Sequence, residues 1–252
     1  MKSKIIPLIA VVGTGAWSMS GQAQVLLHET FDYPDTTAML ANWSGAGSGL
    51  GGSLNTTDGL GAPSGAHDGT ASVHVWSGSA FSITPTDASP LVLSGDLWFS
   101  GNGGQRNTIG LRTGVNPLFE FGFYNQAAAN GLSARILNFA GTPGWVQLAS
   151  YTDLGAGQPQ WIRFEATFTA TALDLKWDLA ADGTWDGAYS SSGATPTGAF
   201  SDLRFGGPSG VSSVGGGFLV DNIKLEVVPE PAAATLLGLG LSSLIAWRRS
   251  RR

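Results

Sequence analysis

The chain has no cysteine. Its fold is therefore held without disulfides, and thiol nucleophiles and thiolate-held metals are excluded. Charge is also scarce: Asp, Glu, Lys and Arg make up 12% of the 252 residues, about half the usual share. Three histidines, His28, His67 and His74, are scattered, and His28-Glu29 lacks the second histidine of a zinc-binding helix. No Gly-x-Ser-x-Gly elbow is present. Gly47-x-Gly49-x-x-Gly52 has the spacing of a dinucleotide loop, but no strand pattern leads into it and no helix pattern leaves it. No window of helical length repeats its apolar residues every 3.6 positions. What is abundant is glycine, with 37 residues, and tryptophan, with nine. Low charge together with Gly, Ser, Thr and Trp suits a β-rich extracellular domain with glycine-built turns.

The basic residues are unevenly placed. Lys2, Lys4, Arg248, Arg249, Arg251 and Arg252 take six of the 13, while only Glu230 of the 18 acids lies in the two ends. Between Gln24 and Val228 seven bases thus face seventeen acids, a net charge of −10. Such a surface repels nucleic acid and anionic membranes. At the start, Met1-Lys2-Ser3-Lys4 precedes an apolar stretch from Ile5 to Met19, and Gly21 and Ala23 stand at the −3 and −1 positions of a cut before Gln24. This pattern predicts a secretory signal peptide over residues 1–23, removed by signal peptidase.

At the other end, Ala232 to Trp247 carries no charge. As a helix this stretch is ~24 Å long, slightly short of a ~30 Å hydrocarbon core. The arginines behind it hold its end on the cytoplasmic side. Pro229 and Pro231 stop the helix from extending backward and keep the triplet extended. Val228-Pro229-Glu230-Pro231, the apolar run and the cluster Arg248, Arg249, Arg251 and Arg252 resemble the PEP-CTERM sorting signal of exopolysaccharide-producing Gram-negative bacteria. The resemblance implies processing by an exosortase near the triplet and release to the cell surface or extracellular matrix. The alternative is a plain tail anchor that stays in the membrane.

About 205 residues remain between these ends, enough for one β-sandwich domain over 24–228. Short β-branched and aromatic segments recur between turn residues. In Trp161–Phe168 the residues Trp161, Arg163, Glu165 and Thr167 alternate with Ile162, Phe164, Ala166 and Phe168, a period of two with one apolar face. Similar segments start at Val25, Ala71, Leu91, Leu118, Ser133, Trp145, Ala172, Thr184, Asp202 and Phe218. Ser44 to Gly69, rich in Gly, Ser and Thr, reads as a long exposed loop. "LLHETFDYP" and "FLVDNIKLE" resemble the opening and closing strands of concanavalin A-like, laminin-G-like jelly rolls. That resemblance implies an all-β, two-sheet antiparallel jelly-roll sandwich whose first and last strands pair, with a glycan- or calcium-binding rim or concave face. A signal helix and a transmembrane sorting helix would flank it.

Many such folds are glycoside hydrolases, which need two carboxylates ~5–9 Å apart. The Glu-x-Asp-x-(x)-Glu strand of the family's glucanases is absent, and Glu120 and Glu165 read as lone, solvent-facing strand acids. Asp178, Asp182 and Asp186 superficially suggest a calcium loop, but lack oxygen donors between them and a closing Glu. Asp182-Gly183 reads better as a hairpin turn. Most tryptophans belong to a core. Trp43 in a Gly-rich loop, Trp145 after Pro143-Gly144 and Trp185 beyond the turn are the candidates to stack on a sugar ring. The sequence therefore predicts an exported, non-catalytic surface or matrix protein associated with exopolysaccharide. A polysaccharide hydrolase or lyase is the alternative, and a purely structural or adhesive protein the third.

Overall fold

The structure is a computed structural model. It describes residues 22–46, 52–55, 64–67, 73–76, 81–112, 118–137, 144–155, 157–192, 198–208 and 218–229. The expected signal helix and the apolar sorting helix lie outside these residues. Among the described residues no helix is long and apolar enough to cross a membrane.

Among the described residues, fifteen strands and one short helix follow each other. They are β1 (Gln24–Glu29), α1 (Thr36–Asn42), β2 (Trp43–Ala46), β3 (Gly52–Asn55), β4 (Ser64–His67), β5 (Val73–Trp76), β6 (Leu91–Phe99), β7 (Asn107–Arg112) and β8 (Leu118–Gln126). After these come β9 (Ala129–Leu137), β10 (Trp145–Ser150), β11 (Gln160–Phe168), β12 (Ala172–Leu179), β13 (Gly187–Ser192), β14 (Asp202–Gly206) and β15 (Phe218–Val227). They form two antiparallel sheets. The eight-stranded sheet has the order β13-β12-β11-β6-β15-β4-β3, with β1 also on β15, and the seven-stranded sheet has the order β10-β9-β8-β7-β14-β5-β2. The first and last strands pair, from Gln24 opposite Val227 to Glu29 opposite Ile223.

Period-two patterning explains the core. On β8, Phe119, Phe121 and Phe123 are fully buried and meet aromatic rings from the other sheet. Phe121 stacks on Phe164 at 4.5 Å, Phe119 meets Phe168 edge-on at 5.0 Å, and Phe123 packs on Phe99 at 5.4 Å. Each such pair adds about 0.5–1.5 kcal/mol beyond the area it buries, which supports a sandwich that has no disulfide.

One local expectation is corrected, and two further elements have no strong sequence signal. Ser44–Gly69 is not one open loop, because β2, β3 and β4 fall in it. Their ladders are set by partners: β2 on β5, β3 on β4 and β4 on β15. Strand pairing supplied by tertiary neighbours overrides weak propensity. β7, "NTIGLR", carries no clear signal because Gly110 interrupts its outer face. α1 is only seven residues long, started by Asp35, whose Oδ1 accepts the Ala38 N–H at 2.8 Å.

A buried carboxylate ties the N-terminal segment to this frame. Glu29 accepts the Phe31 N–H at 2.6 Å, the Tyr33 hydroxyl at 2.5 Å and the Trp43 indole N–H at 2.9 Å. Phe31 sits at φ +54°, a strain of order 1 kcal/mol that the Glu29 bond and full burial of its ring offset. Burial, and then Glu29 itself, push the Tyr33 hydroxyl well above its ordinary pKa.

Candidate functional site

Because β8 turns its phenylalanines inward, Glu120, Gly122 and Tyr124 face the side away from the core. Register places Glu120 opposite Arg135 on β9 and opposite Gly110 on β7, and Gly110 opposite Arg204 on β14. Glu120 reaches across the bare Gly110 to Arg204, Oε1 to Nη2 at 2.6 Å. A Cβ on Gly110 would collide with the Phe119 carbonyl oxygen and stand 3.1 Å from Glu120 Cγ. The other oxygen, Oε2, lies 3.6 Å from Arg135 Nη1. Arg112 is two residues along β7 on the same face, opposite Asp202. Its guanidinium is pulled below the usual arginine range first by burial and next by Arg204, while Glu120 and Asp202 act in the opposite sense. Its Nε is buried without a hydrogen-bond partner.

The row continues into aromatic rings. Trp145 on β10 pairs with Arg135. Its ring stacks on Tyr124 at 3.8 Å and 15°, with the Arg135 guanidinium carbon 5.6 Å from its centroid. Tyr124 donates its hydroxyl to Gln126 Oε1 at 3.1 Å. A polar hollow of about 420 Å³, lined by Asn125, Gln126, Asn130 and Gln147, opens at this end of the sheet.

Glu120 is therefore not the lone solvent-facing acid that its sequence context suggests. It is 1% exposed, and its partner Arg204 lies 84 residues along the chain, beyond any local pattern. Glu165 does lie at the surface, 2.8 Å from Lys176.

The outer face of the eight-stranded sheet carries a different row. Arg163 is opposite Asp178 on one side and Asp96 on the other, and Asp96 is opposite Asp221. Asp96 accepts from Arg163 Nε at 2.9 Å and from Asn222 Nδ2 at 2.8 Å. Asn222 takes φ +51° at the bulge between Asp221 and Lys224. Asp221, 3% exposed, is pushed up to about 6, mainly by burial, against the Asn222 N–H bond that lowers it and with Asp96 adding to the rise. No motif spacing announces this pair, because β6 and β15 are far apart in sequence.

The expected site residues fall as follows. Trp43 is fully buried, between Phe31 at 5.6 Å and Phe205 at 5.0 Å. Its ring belongs to the core, and its loop context hid the start of β2. Trp145 is half-buried in the row just described. Trp185 is 42% exposed, with Lys176 Nζ 4.5 Å from its ring centroid. Asp178, Asp182 and Asp186 do not form a cation cage. Asp178 accepts the N–H groups of Asp182 and Gly183, Asp182 that of Thr184, and Asp186 that of Leu179. They cap the β12–β13 turn, in which Gly183 has φ +96°. Among the described residues, no three acidic or histidine side chains converge as a metal requires. Of the sorting residues only Pro229 is described, directly after β15. Glu230, Pro231, Arg248, Arg249, Arg251 and Arg252 lie outside the described residues.

No curated protein is significantly similar to the chain in sequence. Among solved structures, a glycosyl hydrolase family protein from Mycobacterium fortuitum is 14% identical, with a TM-score of 0.50, and the match covers 81% of this chain and 99% of that one. The CBM2 module of the evolved Dit of Lactobacillus casei BL23 phage J-1 follows at 10% identity, 82% and 97% coverage and a TM-score of 0.47. A Bauhinia forficata lectin in complex with GalNAc is 10% identical over 82% and 99%, with a TM-score of 0.45. The likeness to the glycosyl hydrolase family protein is one of fold, an all-β sandwich of two antiparallel sheets. Residues 227–252 match the PEP-CTERM protein-sorting motif, so the chain carries an exosortase sorting signal behind a jelly-roll body and is an exported protein anchored transiently in the membrane.

Proposed function

We propose that this protein is a non-enzymatic component of the cell surface or extracellular matrix of a Gram-negative bacterium, where it binds exopolysaccharide. In this reading signal peptidase removes residues 1–23, an exosortase acts near Pro229-Glu230-Pro231, and the 24–228 β-sandwich is the working part. The outer face of the seven-stranded sheet is the binding face. The observation that carries this is the union of the Trp145–Tyr124 stack with Arg135 and the Glu120 row. Sugar rings are held by a flat aromatic face together with oriented polar groups beside it. Trp185, exposed in the connection between β12 and β13, is a second stacking position. The hydrolase alternative keeps one observation in its favour, the Asp96–Asp221 pair with Asp221 raised to about 6. Against it, Asp96 is 1% exposed and bonded to Arg163 and Asn222.

The test is binding of the purified chain to the host's own extracellular polysaccharide, with calcium and with chelator, while new reducing ends are assayed. Binding without new ends is expected. New reducing ends would make the protein an enzyme. No binding in either condition would leave a structural surface protein.

A further inference from the structure

We propose that the outer face of the seven-stranded sheet selects acidic glycans, taking a sugar carboxylate at Arg112 and Arg135. The proposal rests on the glycan-binding reading above and names its ligand class. Only seven basic residues lie between Gln24 and Val228, in a stretch with seventeen acids. Three of the seven, Arg112, Arg135 and Arg204, share one face of one sheet and surround a single buried carboxylate. Glu120 gives its short contact to Arg204 and a looser one, 3.6 Å, to Arg135. Asp202 is opposite Arg112. The strands of this sheet thus hold three guanidiniums against two carboxylates, a surplus of one positive charge in an otherwise acidic body.

A fixed guanidinium surplus in a partly desolvated site is matched by an anion, and the planar fork of Arg fits a carboxylate with two parallel bonds. The buried Arg112 Nε has no hydrogen-bond partner, so the protein's own acceptors do not saturate this guanidinium. Glu120, 1% exposed and engaged with guanidiniums, is shielded from an incoming anion. Arg135 keeps 21% of its side chain exposed and stands beside Trp145. A ring stacked at Trp145 therefore presents its substituents to Arg135.

Phenylglyoxal labelling of arginines in the wild-type full chain, read peptide by peptide, tests this without a variant. Galacturonate oligomers are expected to abolish labelling of Arg112 and Arg135, while neutral dextran leaves it unchanged. Equal protection by dextran would overturn the anion selection and leave the glycan-binding reading standing. Equal protection by dextran sulfate would reduce the effect to charge alone and overturn the carboxylate assignment. Loss of labelling confined to the C-terminal arginines, or no protection by any glycan, would overturn both. Arg112→Gln is expected to lower affinity for the galacturonate oligomers about tenfold, the worth of one charge-assisted hydrogen bond, with the tail arginines constant. Unchanged affinity would overturn the role of Arg112.

Discussion

The two outer faces of the sandwich use charge in opposite ways. On the outer face of the eight-stranded sheet six acids, Asp96, Glu165, Asp174, Asp178, Asp221 and Glu226, outnumber Arg163, Lys176 and Lys224. Its carboxylates are met by turn N–H groups, an asparagine and surface lysines. On the seven-stranded sheet the guanidiniums are in excess and one carboxylate is shared between them. The lesson is that one β-sandwich can keep an acidic surface for solubility and still concentrate positive charge on a single face. The aromatic stack of Trp145 and Tyr124 sits on that second face.

The comparison breaks most easily at Glu120. Glu120→Ala removes the carboxylate that pairs with Arg204 and Arg135, and removal of one member of a buried pair costs about 3–5 kcal/mol. Urea unfolding measures it, and a loss below about 1 kcal/mol would mean that the arginines are solvated rather than held. Gly110→Ala comes next. Its Cβ would meet the Phe119 carbonyl and crowd Glu120 Cγ, and such overpacking costs about 1–3 kcal/mol. A wild-type melting temperature for that variant would contradict the close passage of Glu120 over β7.

Asp221 sharpens the contrast from the other sheet. Its carboxyl is raised to about 6 from the ordinary 3.8. Between these pH values the folded chain holds a proton that the unfolded chain has released, so stability falls as pH rises through the window. Asp221→Asn is expected to stabilise by about 2 kcal/mol above pH 7 and to have no effect at pH 4, as read by thermal melts at both. Equal effects at the two pH values would refute the burial of a charged Asp221. The smallest effect belongs to the Lys176–Glu165 pair, whose side chains are 37% and 35% exposed. Lys176→Ala is expected to shift stability by at most ~1 kcal/mol, and a larger loss would show that its contact with Trp185 matters more than the ion pair.

Much of the sandwich was legible because period-two segments such as Trp161–Phe168 announce their own faces. The sorting motif was legible because it is contiguous. β2, β3 and β4 were not, since glycine- and serine-rich strands owe their pairing to neighbours that no local window contains. The burial of Trp43 is hidden for the same reason: β2 and its stack on Phe31 and Phe205 form only when distant segments meet. The Glu120 row was hidden by register. Arg135, Gly110 and Arg204 align with Glu120 only once four strands are placed side by side, and the missing side chain at Gly110, which lets the contact form, reads in sequence as a weakness of β7.

Hydroxyl-radical footprinting of the chain with and without the host's extracellular polysaccharide tests the central claim most directly. The account expects Trp145 and the peptides of β7, β9 and β14 to lose reactivity, with the outer face of β6, β11 and β12 unchanged. Protection confined to the eight-stranded sheet, or no protection at either face, would contradict it.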